Sequence, residues 1–207
     1  DWGSEHPYSH LAIPLWNTLI RFGFFLSNVF LLTELREHLA NERRLARTDA
    51  LTGTLNSRAF TEQVEYNLGL ARRNGSALTL AYIDLDDFKR INDKHGHNEG
   101  DRLLRVIGRT LMQGTRGTDQ VARLGGDEFA LLLPGTDTDG AREAIGKIRQ
   151  LLRESLDSAG FSVTCSVGAM TFSRPPPSVD EAIRAADHLM YQVKSQGKDA
   201  VAFDTRS

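Results

Sequence analysis

The segment Gln120-Val-Ala-Arg-Leu-Gly-Gly-Asp-Glu-Phe-Ala-Leu-Leu-Leu133 limits the fold more than any other part of the chain. Two short apolar runs flank Gly125-Gly126, and a glycine pair between such runs signals a tight antiparallel hairpin. Around it, helical and extended segments alternate. Asn56 is placed to N-cap a helix reaching about residue 74. Residues 77–83 read as a buried strand that ends at Asp84. Helical pieces over 88–94 and 100–113 lead into the hairpin. A helix over 138–158, a strand over 161–171, a helix over 179–195 and a closing strand near 200–203 follow it. Alternation with one hairpin inside it requires a mixed sheet flanked by helices, because parallel neighbours need crossovers and cannot be joined by a tight turn. The expected class is α/β (α+β).

At 207 residues, with 40% hydrophobic and 25% charged residues, the chain has the composition of a globular protein with one core of ordinary domain size. Its formal charge of -2 gives no basic footprint for nucleic acid, so no such partner is expected. The single cysteine, Cys165, rules out an internal disulfide and fits a reducing compartment. It lies in an apolar run without basic neighbours, where a small buried side chain is expected rather than a reactive thiol.

Residues 1–47 differ in character from the rest. The chain opens on Asp1 without a secretory signal pattern, as a fragment or a processed product would. Residues 11–32 are mostly apolar, with Arg21 as the only formal charge. As a helix they would extend about 33 Å, close to a hydrocarbon core. Against that, Arg21, Asn17 and Asn28 are costly in lipid, roughly 3 kcal/mol for a central arginine. Two readings stay open: the end of a membrane region, or a soluble amphipathic helix packed on a partner or on the following domain. Arg36, Arg43, Arg44 and Arg47 follow, and a basic cluster there would hold the C-terminal part in the cytoplasm of an inner-membrane protein. Leu32, Leu35, Leu39 and Ala46 fit a short coiled-coil seam, and equally a solvated connecting helix. Residues 48–207 form the second domain.

That second domain places carboxylates at strand ends. Asp84 closes a buried strand in Tyr82-Ile-Asp-Leu-Asp-Asp-Phe-Lys89, and Asp127 and Glu128 sit in the hairpin. Unpaired carboxylates in such places are expensive unless something compensates them, and a hard divalent cation does so. Acidic turn residues, taken alone, more often cap helices or face solvent; Asp86 reads as a helix cap, and Asp101 as the N-cap of a helix beginning near Arg102.

The combination of Gly125-Gly-Asp-Glu-Phe129, the upstream Asp84-x-Asp-x-Phe-Lys89 and the leading Asp49-Ala-Leu-Thr-Gly-Thr-Leu-Asn56 resembles the GGDEF family of diguanylate cyclases over residues 48–204. Thr54 departs from the larger apolar residue common in that family, and His95 from an aromatic one. The resemblance implies a ferredoxin-like palm that condenses two GTP molecules into cyclic di-GMP across a homodimer. It implies Mg²⁺, with Mn²⁺ as an alternative, held by Asp84, Asp127 and the Leu85 carbonyl, and it makes Asp84, Asp127 and Glu128 catalytic. Asn92 and Asp101 match guanine-reading positions; an aspartate accepting from a guanine edge selects GTP over ATP. Lys89, Lys194 and Lys198 match triphosphate contacts, the last two four residues apart near a helix end. Phe88, Arg123 and Gly126 fall on the same substrate surface. His95 and His97 lack zinc-site spacing and read as loop residues.

Arg116-Gly-Thr-Asp119, separated from Gly125 by residues 120–124, matches the family's RxxD product-inhibition motif, with Lys147 as a further basic contact. The alternative function is a catalytically silent GGDEF domain that serves as a cyclic di-GMP receptor. Intact Asp84, Asp127, Glu128, Asn92 and Asp101 weigh against it.

Overall fold

The computed structural model describes residues 9–45 and 47–206, with side chains for 13–36 and 47–206. The chain divides into two units, Asp1–Ala46 and Arg47–Ser207. The described part of the first is one continuous 37-residue helix, α1 (Ser9–Leu45), so the apolar stretch and the charged connector are a single element. Ile13–Arg36 is long and apolar enough to cross a membrane, and all its side chains are exposed. Three of its polar side chains turn back on the helix: Thr18 donates to the Pro14 carbonyl, Asn28 to Phe24 and Thr33 to Val29, each at 2.8 Å. Such bonds satisfy those groups without water. Of the coiled-coil seam, Leu32 and Leu35 are exposed, while the side chains of Leu39 and Ala46, like those of Arg43 and Arg44, lie outside the described residues.

The second unit is built on a six-stranded mixed sheet. Its elements are β1 (Leu55–Asn56), α2 (Ser57–Asn74), β2 (Leu78–Leu85), α3 (Phe88–His95), α4 (His97–Gly114), β3 (Gln120–Gly125), β4 (Glu128–Pro134), α5 (Thr138–Ser158), β5 (Cys165–Phe172), α6 (Val179–Ser195) and β6 (Val201–Arg206). The strand order is β1-β3-β4-β2-β5-β6. The four central strands pair antiparallel in the ferredoxin-like arrangement, and only the outer pairs β1–β3 and β5–β6 are parallel.

Caps fix the helix starts where the sequence places them. Asn56 accepts from Ala59 N, Asp137 from Gly140 N and Ser178 from Glu181 N. Each such cap contributes about 1 kcal/mol. Gly75 closes α2 in the left-handed region, φ 62°, where a side chain would be strained. All eight residues of β2 and of β5 are buried, which is why both strands read as continuous apolar runs. On one face Leu103, Leu104, Ile107 and Leu111 of α4 join Ile145, Ile148 and Leu152 of α5 against Ile83, Phe129 and Leu131. On the other, Phe60, Val64 and Leu68 of α2 join Ala186 and Met190 of α6 against Leu78, Leu80 and Leu132.

Three boundaries differ from the sequence expectations. α4 begins at His97, so Asp101 lies inside the helix and is not its N-cap. The apolar character of residues 161–164 comes from packing of Phe161 and Val163 on the core from a loop, and β5 starts only at Cys165. A register shift between Arg123 and Gly125 pairs Gly125 with Glu128, so the hairpin turn is Gly126-Asp127, not Gly125-Gly126. Gly126 takes the positive φ, 49°, at its first position.

Candidate active site

The site begins where β2 ends. Strand alternation puts Tyr82 and Asp84 on the face covered by α2 and α6, and Glu128 is the cross-strand partner of Asp84. Leu85 N donates to the Asp127 carbonyl at 3.3 Å, tying the strand end to the hairpin turn. Asp84 is 5% exposed. Lys194 Nζ lies 2.6 Å from its Oδ1, an ion-pair distance, but off the directions of a hydrogen bond, and that oxygen has no aligned donor. Burial pushes the Asp84 carboxyl up to about 6; Lys194 pulls it down, while Asp127 and Glu128 push it up.

These residues fit a hard divalent cation. A buried carboxylate beside two more carboxylates, with a single ammonium paired to it, is stabilised by such an ion. Among the described residues no three metal-ligating side chains converge into a ready-made cage. Mg²⁺ is ordinarily held by one or two carboxylates together with backbone, water and substrate phosphate oxygens, and the donors here match that pattern.

Tyr82, passed over in the sequence because an aromatic in a buried strand reads as core, belongs to the same cluster. Its phenol ionises well above the usual range, first through burial and then through the Glu128 carboxylate beside it, with Asp187 and Asp84 adding to the effect. Its spacing of two from Asp84 was the available signal. Asp86 is not a helix cap. It is 4% exposed, and it accepts from Ser166 Oγ at 2.7 Å, Thr164 Oγ1 at 2.6 Å and Asp199 N at 3.1 Å.

Beyond the β2 end, α3 and α4 bring the base-reading candidates together. A Cβ on Gly100 would lie 2.0 Å from Asn92 Oδ1 and 3.2 Å from Phe88 Cζ, so the glycine makes room for both side chains. Asn92 Oδ1 is buried without a partner beside Gly100, and the following residue, Asp101, is half-buried. Lys89 is exposed on the first turn of α3. Lys198 does not share a helix face with Lys194, because α6 ends at Ser195 and Lys198 sits at φ 65° in the following loop. Its Nζ reaches Asp87 Oδ1 at 2.7 Å, beside the start of α3.

Arg123 braces the hairpin. Its Nε and Nη2 donate to the Gly126 carbonyl at 2.9 and 2.7 Å, and Nη1 lies 3.2 Å from Asp49 Oδ1. Asp49 also accepts from Thr52 N and Oγ1 at 2.9 and 2.7 Å. Burial raises the Asp49 carboxyl, but the Thr52 bonds and Arg123 outweigh it and hold the group below its ordinary value. Thr54 is buried and shares a 2.9 Å bond with Thr52, so its hydroxyl is satisfied where the family pattern has an apolar side chain.

Arg116 and Asp119 lie at the opposite end of β3. Asp119 Oδ2 accepts from Arg116 N at 2.8 Å, and both residues line a groove with Gly53, Thr54 and Leu55. Lys147 pairs with Glu143 at 2.6 Å on the exposed face of α5. Cys165 is buried, and desolvation pushes its thiol up to about 12, as an inert core residue requires.

The family model of the diguanylate cyclase GGDEF domain matches residues 46–200. The chain is 36% identical over 165 residues to diguanylate cyclase DgcP of Pseudomonas aeruginosa, covering 78% of this chain and 24% of that protein. It is 33% identical over 172 residues to the response regulator PleD of Caulobacter vibrioides, covering 81% of this chain and 38% of that protein. It is also 34% identical over 178 residues to cyclic di-GMP phosphodiesterase NbdA of Pseudomonas aeruginosa, covering 85% of this chain and 23% of that protein. The chain thus spans half or less of the length of these relatives. Among solved structures, the coiled coil and GGDEF domain of DgcB from Caulobacter crescentus, in complex with c-di-GMP, aligns with TM-score 0.70 at 26% identity, over 88% of this chain and 98% of that one. Diguanylate cyclase SiaD of Pseudomonas aeruginosa, in complex with its activator SiaC, aligns with TM-score 0.70 at 28% identity, over 93% and 77%. The chain belongs to the diguanylate cyclase GGDEF-domain family.

Proposed function

We propose that residues 48–207 form an active diguanylate cyclase that joins two GTP molecules into cyclic di-GMP and releases two pyrophosphates. The observation that carries this reading is the buried Asp84, ion-paired with Lys194 and set beside Asp127 and Glu128 at adjoining strand ends. Mg²⁺ or Mn²⁺ held by Asp84, Asp127 and the Leu85 carbonyl would neutralise triphosphate charge and acidify the attacking 3′-hydroxyl. Asn92 and Asp101 take the guanine edge, which leaves their buried polar atoms unpaired if adenine enters instead. Lys89, Lys194 and Lys198 meet the phosphates, and Gly126 lets the turn approach them closely. Arg123 keeps that turn in place. Glu128, held against Tyr82, acts beside the reacting groups.

The product has two equivalent phosphodiester bonds, so two domains must face each other, each presenting one bound GTP to the other. α1 sets that geometry from the membrane, with the cyclase domain on the cytoplasmic side. Removing residues 1–46 should therefore change how turnover depends on protein concentration; an unchanged dependence would refute the role of α1. Incubation of the protein with GTP and Mg²⁺, with products resolved by chromatography, should yield cyclic di-GMP, and ATP should yield none. Tight cyclic di-GMP binding with no turnover after bound nucleotide is stripped would favour a receptor instead.

A further inference from the structure

The loop between α6 and β6 holds an uncommon backbone path. Gly197, Lys198 and Asp199 take φ values of 124°, 65° and 43° in succession. Two adjacent non-glycine residues in the left-handed region persist only when their surroundings over-determine them. Three anchors are present. Lys198 N donates to the Val193 carbonyl at 3.1 Å. Asp199 N donates to Asp86 Oδ2 at 3.1 Å, and that carboxylate is itself fixed by Thr164 and Ser166. Arg149, from α5, donates through Nη2 to both the carbonyl and Oδ1 of Asp199 at 3.0 Å each. The first two anchors come from the edge of the site; the third reaches it from the other side of the sheet.

We infer that Arg149 is a positioning residue for triphosphate binding, acting through Asp199 to hold the loop that aims Lys198 at the β2–α3 turn. This rests on the cyclase reading, in which Lys198 meets the phosphates. Lys198 is parked on Asp87 at 2.7 Å, with both side chains substantially exposed (40% and 54%). Exposed pairs of this kind are weak, so the ammonium transfers readily to a phosphate. The loop path, by contrast, must survive the exchange, and Arg149 supplies a guanidinium that grips Asp199. Arg149 is not a catalytic residue, since it lies on α5 with its contacts spent on the loop.

The test measures binding by the full chain of α,β-methylene GTP with Mg²⁺ and, separately, of GMP, by titration calorimetry. Arg149→Gln should weaken the triphosphate analogue about tenfold, the loss expected for one charge-assisted contact, and leave GMP affinity unchanged. Lys198→Ala should do the same, and the double variant should be no weaker than Lys198→Ala alone, because Arg149 acts only through Lys198. Thermal melting of each variant verifies that it is folded. Equal loss for GMP and the analogue, or additive losses in the double variant, would overturn the proposal and leave Arg149 as a structural residue. Analogue binding unchanged in a folded Arg149→Gln would overturn it as well. If the wild type binds neither nucleotide, the cyclase reading fails first and this inference with it, a result distinct from the others.

Discussion

At the scale of single residues, the site is organised by how each carboxylate is compensated. Asp86 is fully hydrogen-bonded and buried, and so serves as an anchor. Asp84, one strand position from the end of β2, has the Lys194 ammonium as a counter-charge and two further carboxylates beside it, and is the group proposed to receive an ion. The letters Asp-x-Asp do not distinguish these two roles; burial and partners do. Asp49 is a third case, held below its ordinary value by Thr52 and Arg123 against the cost of burial. A carboxyl depressed on folding stabilises the native state fully above its unfolded value of about 4, and that contribution vanishes as pH falls through the lower folded value. Asp49→Asn should therefore cost about 1–3 kcal/mol at pH 7, and less as the pH drops towards 3. Urea unfolding of both proteins across that range checks this; a difference independent of pH would contradict it.

At the scale of elements, α6 depends on a glycine in the strand beneath it. A Cβ on Gly168 of β5 would fall 2.2 Å from both the Ala186 carbonyl oxygen and Met190 N, backbone atoms of α6 that cannot step aside. Gly168→Ala should destabilise the domain by about 3 kcal/mol or more, read as a lower urea midpoint with an unchanged slope. A midpoint within error of wild type would show that α6 shifts freely. Most elements were legible from the alternation of apolar runs and turn residues, and Asn56 caps α2 as expected; Asp137 and Ser178 cap α5 and α6 as well. Misreadings fell where local chemistry mimics another element. Asp101 looks like a cap, yet α4 starts earlier at His97 after Gly96, whose φ of 83° suits glycine. Phe161 and Val163 look like strand residues but pack from a loop. The two-residue strand β1 was missed because it is too short to show any period. Within the candidate site, Asp84, Asp127, Glu128, Asn92 and Asp101 were legible as candidates through the family resemblance. Tyr82, Asp49, Asp199 and Arg149 were not, because their roles arise from partners far away in the chain, 74 positions for Asp49 and Arg123 and 50 for Arg149 and Asp199.

At the scale of the whole molecule, the proposed substrate site and the proposed product site occupy opposite ends of β3. Arg116 and Asp119 precede the strand, and Arg123 and Gly126 brace the turn that follows it. Product bound at Arg116, as proposed, would therefore act at a distance, through the arrangement of two domains or through the strand itself. Arg116→Ala should leave initial turnover near wild type while raising the concentration of cyclic di-GMP needed for half-inhibition by tenfold or more, on the order of one lost arginine fork. Inhibition curves that superimpose would remove the assignment. The decisive measurement is cyclic di-GMP formation from GTP and Mg²⁺ by wild type and by Asp127→Ala, side by side, with folding of both verified by thermal melting. Product from wild type, with a loss on the order of 10³ in the variant, is expected. Equal product from the two proteins, or none from nucleotide-stripped wild type, would contradict it.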